Sequence, residues 1–441
     1  MTSATLLEDL TKLTPSITQQ VAPARAGDQF YPAAPDTLAQ TKLSESMFES
    51  LVLKFLMNRG HSTGMQISRQ LKLPFKVINE ELRHLKQAQH IAHRRSSSLN
   101  DYVYELTPSG HEQARRHQQS TTYFGSAPVV FEDYVHSVQQ QRLNGAGVTI
   151  ERLEEVLTGL SIQADVFQQI GQAIRAARGL FLWGFPGNGK TTIAERICRS
   201  YGPSIWIPRT ILVDGELIRV FDPTVHKPIK LRPEANVDHR WICIQRPTVV
   251  AGGELTLDNL ELTTIGDSGV IEAPLQIKSN CGVLVIDDFG RQRCSPTELL
   301  NRWIVPLEMQ VDYLNLPSGK KLRTPFEQMI VFSTNLKPKQ LVDEAFLRRI
   351  PYKVEAPNPT EAEFLALLKA TAEKLHIHYE ASFGRYLIEK HYEGADRSFR
   401  YCHARDLMQQ AKVACEFRGT ELTFSPQIID QAVRNYFVEL D

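Results

Sequence analysis

The chain has no apolar run approaching the ~20 residues needed to cross a bilayer, and its first ten residues lack a basic start followed by a long apolar stretch. Neither a membrane span nor a signal peptide is expected, and the cytoplasm is the expected compartment. The six cysteines, Cys198, Cys243, Cys281, Cys294, Cys402 and Cys415, include no C-x-x-C pair. Such scatter indicates neither a zinc site nor a disulfide framework, so reduced and mostly buried thiols are expected. Charge of neither sign is in excess, because 50 basic residues meet 50 acidic ones. Charge balance alone therefore names no polyanionic partner. What is present is a chain of 441 residues with 42% hydrophobic content, too long for one ordinary core and expected to form two or three domains.

The most informative stretch follows the apolar run from Gly179 to Trp183. It comprises Gly184, Phe185, Pro186, Gly187, Asn188, Gly189, Lys190 and Thr191, and opens into Thr192 and a helical pattern to Ile197. This is the G-x-x-x-x-G-K-[ST] pattern in the strand, loop, helix context it requires. Glycines let backbone N–H groups turn inward around a phosphate, and the following helix aims its positive end at the same anion. Lys190 is expected to reach the β- and γ-phosphates of a nucleoside triphosphate, with the Thr191 hydroxyl on Mg²⁺. The loop residues Gly184, Pro186, Gly187, Asn188 and Gly189 and the following Thr192 complete the expected nucleotide contacts.

A second signal is the buried β-branched run from Val283 to Ile286, which ends in Asp287 and Asp288. Carboxylates at the carboxyl end of a parallel strand lie where α/β sheets place ligand chemistry. Asp287 is expected to hold Mg²⁺, and Asp288 to orient or deprotonate the attacking water.

The order of these motifs resembles the AAA+ superfamily of ring-forming ATPases, with Walker A at Gly184 to Thr191 and Walker B at Val283 to Asp288. The strand from Met329 to Asn335 resembles sensor 1, which implies that Asn335 positions the attacking water. The segment from Leu341 to Ile350 resembles the one carrying the arginine finger, with Arg348 and Arg349 both candidates. The stretch from Tyr401 to Leu407 resembles the sensor 2 helix, which implies that Arg405 approaches the γ-phosphate. Arg291, Arg293 and Arg302 are further candidates for facing an adjacent subunit. One departure is notable, because the second Walker B acid of this superfamily is usually Glu and here is Asp288. A carboxylate shorter by one methylene implies slow turnover or the need for a partner.

Asp287 lies 97 positions after Lys190, farther than a compact nucleotide-binding core needs. Residues 205–213, 217–221 and 240–250 have strand character, with a hairpin turn at Asp214 and Gly215, and read as an inserted β element. A glycine-bearing loop from Thr263 to Gly269 is expected to precede a helix over 270–278. The resemblance extends here to the branch with a hairpin before sensor 1, represented by residues 311–325. Either segment faces the ring pore or is a plain connection.

Ahead of the core, residues 41–118 read as three helices and a hairpin, a winged helix-turn-helix with Arg94 and Arg95 at the wing. This segment holds twelve Lys and Arg against seven Asp and Glu, which suits duplex DNA, although Glu80 and Glu81 in the third helix oppose it. Docking to protein is the other reading. The expected organisation is a flexible arm (1–40), the winged helix (41–118), a connector (119–150), an α/β P-loop NTPase domain of AAA+ type with the β insertion (151–356), and a C-terminal helical lid (357–441). The expected function is ATP hydrolysis by a homo-oligomeric ring, a hexamer, that remodels a macromolecular target, protein first. The alternatives are a DNA-binding regulator or DNA-handling ATPase, and a nucleotide-dependent switch or scaffold with little hydrolysis.

Overall fold

The computed structural model of the protein describes residues 30–96, 101–230, 236–341 and 344–437. They divide into two compact units. The first gathers the chain up to Gln140 with Ser204–Gln245 and Ile265–Val270, and the second gathers Gln141–Pro203, Arg246–Thr264 and the chain from Ile271 onward.

In the first unit, α1 (Glu45–Arg59) begins where the Ser44 hydroxyl accepts from the Met47 N–H, and ends at Gly60 with φ 78°. After the short strand β1 (His61–Thr63) comes α2 (Gly64–Leu71), closed at its start by a reciprocal Thr63 and Gln66 capping box. Helix α3 (Phe75–Gln87) follows Pro74, and β2 (Ile91–Ser96), β3 (Tyr102–Leu106) and α4 (Pro108–Ser120) complete the set. The strands form an antiparallel sheet in the order β1-β3-β2. Phe48, Leu51, Leu56, Ile67, Leu71 and Leu82 share one core, each contributing on the order of 1.5–3 kcal/mol by burial. The three expected helices and both hairpin strands are present, while the hairpin tip at 97–100 lies outside the described residues.

The inserted strands join this first unit and not the nucleotide-binding core, which corrects the expected 151–356 domain. Ser204–Pro208 pairs antiparallel with Trp241–Gln245, and Thr210–Val213 with Glu216–Arg219. A buried ion pair of Arg240 and Asp238 at 2.7 Å stiffens the insertion, and Arg240 also donates to the Pro128 carbonyl. Phe30 packs on Trp241 at 4.8 Å and Ala33 bridges Val237. The described end of the expected arm is thus packed, and residues 1–29 lie outside the described residues. The expected strand over 240–250 is two strands, because Pro247 has no N–H for a ladder. Its second half, Thr248–Ala251, belongs to the other unit's sheet.

That second unit is built on β4 (Leu180–Trp183), α5 (Lys190–Ile197), β5 (Thr248–Ala251), β6 (Val283–Ile286), α6 (Pro296–Met309), the hairpin β7 (Val311–Asn315) and β8 (Lys321–Pro325), β9 (Met329–Thr334) and β10 (Tyr352–Glu355). The five-stranded sheet has the order β5-β6-β9-β4-β10, and every neighbour pair is parallel. Strands β6 and β9 are buried along their whole length, as a parallel sheet covered on both faces demands. Two helices, Ile150–Leu157 and Ala164–Ala176, lead into β4, with Gly159 between them at φ 79°. The expected helix over 270–278 is also shorter. Ile271 and Glu272 pair as strand with Thr264 and Thr263, and the helix begins only after Pro274, at Leu275–Lys278.

The chain ends in four helices, α7 (Glu361–Leu375), α8 (Ala381–His391), α9 (Tyr401–Arg418) and α10 (Pro426–Tyr436). Phe364, Leu387, Leu407, Phe424 and Ile429 are buried together in their core. His403 on α9 sits there too, its Nδ1 2.9 Å from the Tyr392 hydroxyl. Burial, helped by the Arg400 and Arg397 cations, pushes its imidazole from 6.5 down to about 4.

The unfolded chain therefore takes up this proton first as pH falls, and stability drops between pH 6.5 and about 4. The full loss is on the order of 3 kcal/mol. Urea unfolding of the full chain across that window should show the decline, and His403→Gln should remove most of it while leaving stability at pH 7.5 nearly unchanged.

Candidate functional site

The carboxyl ends of β4, β6 and β9 deliver a hydrogen-bonded set of side chains to one edge of the sheet. Gly184 leaves β4 at φ 143°, where a Cβ would collide with the Ala356 carbonyl. Gly187 and Gly189 follow at φ 85° and 77°, conformations that favour glycine, and Gly189 caps α5. The loop thus curls around its own lysine. Lys190, only 7% exposed, donates from Nζ to the carbonyls of Gly184 and Phe185 at 2.9 Å each and to Asn335 Oδ1 at 2.7 Å. Burial holds its ammonium below the usual lysine range, against the pull of Asp287 and Asp288.

Strand β6 supplies the acids. Asp287 accepts from the Thr191 hydroxyl at 2.9 Å. Asp288 is exposed and adopts φ 48°, a left-handed conformation that Asp tolerates better than most residues. The turn is held because Phe289, 1% exposed, packs on Phe181 and Phe332 at 5.8 and 5.1 Å while its N–H donates to Ser333. Asn335, just past β9, donates to Asp288 Oδ1 at 3.1 Å. Since β9 lies between β4 and β6, Asn335 touches Lys190 on one side and Asp288 on the other. Lys190, Thr191, Asp287, Asp288 and Asn335 are therefore brought together.

Asn188 does a different task from the one its neighbours suggest. Its Nδ2 donates to the carbonyls of Ala356 and Pro357 and to Asn358 Oδ1, all within 3.1 Å, and so pins the loop to the chain beyond β10. Pro186 and Thr192 are exposed at the loop's surface. Thr191 and Asp287 form a pair of hard oxygen donors of the kind Mg²⁺ takes, completing its shell with water and phosphate oxygens. Among the described residues no group of three or more His, Cys, Asp or Glu gathers as an all-protein metal cage.

The arginines separate by their partners. Arg349 donates to Glu308 on α6 at 2.7 Å. Arg348 is exposed and has no side-chain partner among the described residues, while 342–343 of the same segment lie outside them. Arg302 does not face outward as expected. It is held by Glu261 at 2.8 Å and by Asp312 at 2.7 Å, so it ties α6 to the base of the β7–β8 hairpin. Arg291 and Arg293 are exposed. Arg405 is exposed and pairs with its neighbour Asp406 at 2.9 Å, and is not among the groups that touch Lys190, Asp287 or Asp288.

Three contributors were not among the expected site residues. Gln292 donates to the carbonyls of Asp287 and Asp288 and braces their turn. Cys402 gives its N–H to the Gly187 carbonyl at 3.0 Å, and its Sγ occupies the space a Gly187 Cβ would need. Arg400, one residue ahead of α9, lays its guanidinium over the Phe185 ring at 4.1 Å. Only its place at the start of the helix already singled out could have pointed to it.

The pattern of a domain of unknown function (DUF8689) matches residues 360–435, the C-terminal helices. No curated protein matches the chain. Among solved structures, NtrX from Brucella abortus in complex with ATP is similar at 14% identity and a TM-score of 0.41, over 63% of this chain and 58% of that one. The match thus spans less than two thirds of NtrX. The Holliday junction branch migration motor RuvB of Thermotoga maritima is similar at 16% identity and a TM-score of 0.37, over 64% of this chain and 74% of that one. Likenesses this remote do not carry a function across.

Asn188→Ala should cost about 2 kcal/mol, because it strips hydrogen bonds from the buried Ala356 carbonyl and the half-buried Pro357 carbonyl. Thermal unfolding of the full chain would read this as a lowered midpoint, and an unchanged midpoint would mean that the loop is held elsewhere.

Proposed function

We propose that the protein is an Mg²⁺-dependent ATPase of AAA+ type that acts as a homo-oligomeric ring, a hexamer, to remodel a macromolecular target, protein in the first instance. The observation that carries this is the single hydrogen-bonded chain Lys190–Asn335–Asp288 beside Thr191–Asp287 at the carboxyl edge of a parallel sheet. In this reading Lys190 and the N–H groups of the glycine loop hold the triphosphate of ATP, and Thr191 and Asp287 hold Mg²⁺. The ion would supply charge neutralisation at the phosphates. Asp288 takes the proton of the attacking water, and Asn335 fixes the carboxylate's orientation from its other side. The C-terminal helices act as the lid, with Arg405 as its sensor. Arg348 serves as the finger offered to a neighbouring subunit, since Arg349 is engaged with Glu308 within its own chain.

A second reading has one observation in its favour. If residues 41–118 are a winged helix, the outer face of α3 presents Lys76, Arg83 and Lys86, with Arg94 and Arg95 exposed on β2. Glu81 is largely covered and sits 3.7 Å from His84, leaving Glu80 as the exposed acid of that helix. Duplex DNA is the partner this face suits, with phosphate contacts from the lysines and arginines.

Phosphate release and mass measured with ATP and Mg²⁺ test the first reading. Lys190→Ala should abolish nucleotide binding, and Asp288→Asn should keep binding but lose turnover by roughly 10²–10⁴-fold. Arg348→Ala should lose turnover by about 10³-fold, with Arg349→Ala losing far less. Native protein that assembles with ATP yet releases no phosphate would leave a switch in place of an ATPase. For the second reading, the full chain with Lys76→Glu and Arg83→Glu should lose a salt-sensitive duplex shift that the native chain gives at low salt; no shift by the native chain would end it.

A further inference from the structure

A cleft of about 400 Å³ opens in the first unit between the end of α1 and the outer face of α2. Its base is apolar, made by the buried Phe55 of α1 and the half-buried Phe124, whose rings stand 6.5 Å apart at 38°. Phe124 is fixed there because Gln70 of α2 donates from Nε2 to its carbonyl at 2.9 Å. The rim is cationic. Arg59 lies one helical turn beyond Phe55, and Gln66 and Arg69 lie one turn apart on α2, so each pair shares a helix face. Both guanidiniums are exposed, and neither has a hydrogen-bond or ion-pair partner among the described residues. Gln66 spends its Oε1 on the Thr63 N–H at 2.9 Å, which leaves its NH₂ group for another acceptor. Among the described residues no Asp or Glu lines the cleft, so two like charges border one cavity without a counter-charge.

We propose that this cleft binds a small organic anion, a carboxylate or phosphate borne on a flat apolar ring. The Phe55 and Phe124 rings take the ligand's ring by apolar burial and by offset or edge contacts. The forks of Arg59 and Arg69 take its anionic oxygens through charge-assisted hydrogen bonds, whose geometry a planar guanidinium matches in pairs. Gln66, and Asn58 at the end of α1, add neutral donors at the rim. A volume near the small end of the range for ligand clefts suits one ring with its head group. Neither α3 nor β2, on which the duplex DNA reading depends, contributes a residue to the lining, so the site is separate from that face.

Titration calorimetry of the full chain tests this with four probes. Benzoate and phenyl phosphate carry the two head groups, benzamide is the uncharged ring, and inorganic phosphate is the anion without a ring. At least one of the first two should bind with a Kd on the order of 1 mM or tighter, and the tighter of them names the head group. Benzamide and inorganic phosphate should each bind at least about tenfold more weakly. Arg59→Gln and Arg69→Gln should each weaken the ring acid about tenfold, with the thermal midpoint unchanged because both side chains are exposed. Phe124→Leu should weaken it a few-fold while leaving inorganic phosphate unaffected. The proposal is overturned if neither ring acid binds, if benzamide or inorganic phosphate binds as well as they do, or if the Arg59→Gln, Arg69→Gln double variant binds like the native chain. Loss of binding in Lys190→Ala would place the probe on the phosphate loop, and displacement by duplex DNA would assign the two arginines to a nucleic-acid face; either result also overturns it.

Discussion

The burial of one ammonium organises the site. Lys190 is almost wholly enclosed, and an enclosed charge is costly unless acceptors surround it. Two of its acceptors are carbonyls of its own loop, so satisfying the charge is what bends Gly184 and Phe185 inward. The third is Asn335, on a strand brought in from far along the chain. Local glycine geometry and long-range sheet order are thereby joined by a single group. Placing β9 between β4 and β6 then lets Asn335 reach Asp288 with its remaining donor. With another strand order, the same residues would be present and unconnected.

Much of this was legible because it is local. The glycines around Lys190, the apolar strands ahead of it and ahead of Asp287, and the alternation that closes the first unit's hairpin are all short-range patterns. Their physical meaning does not depend on the rest of the fold. Asn335 was legible for the same reason, as a polar residue ending a buried strand. The insertion was not. Its strands were recognisable, but periodicity says which residues are buried and never against what, and the packing of Phe30 on Trp241 joins segments some two hundred positions apart. Pro247 was the overlooked cue, since it cannot continue a ladder and so marks where the chain passes from one unit to the other.

The arginines show the same limit more sharply. Six of them, at 291, 293, 302, 348, 349 and 405, looked alike in sequence as candidates for reaching a phosphate or a neighbouring subunit. Their partners tell them apart. Asp312, 1% exposed, would be an unpaired buried carboxylate without Arg302, which makes that arginine part of the scaffold. Arg349 has Glu308, whereas Arg348 extends from the same segment without a described partner. Arg400 stood outside the motif altogether, and its position became meaningful only when α9 was seen to dock on the loop.

That docking gives the phosphate loop a second attachment. The phosphate loop is gripped from two directions, by Asn188 on the chain beyond β10 and by the Cys402 and Arg400 contacts from α9. The first grip is three hydrogen bonds, one of them to the buried Ala356 carbonyl, and is expensive to break. The second is one backbone hydrogen bond and one cation over an exposed ring, together worth about 1–2 kcal/mol. The weaker grip is the one on α9, so the loop is fixed more firmly to the sheet than to the C-terminal helices.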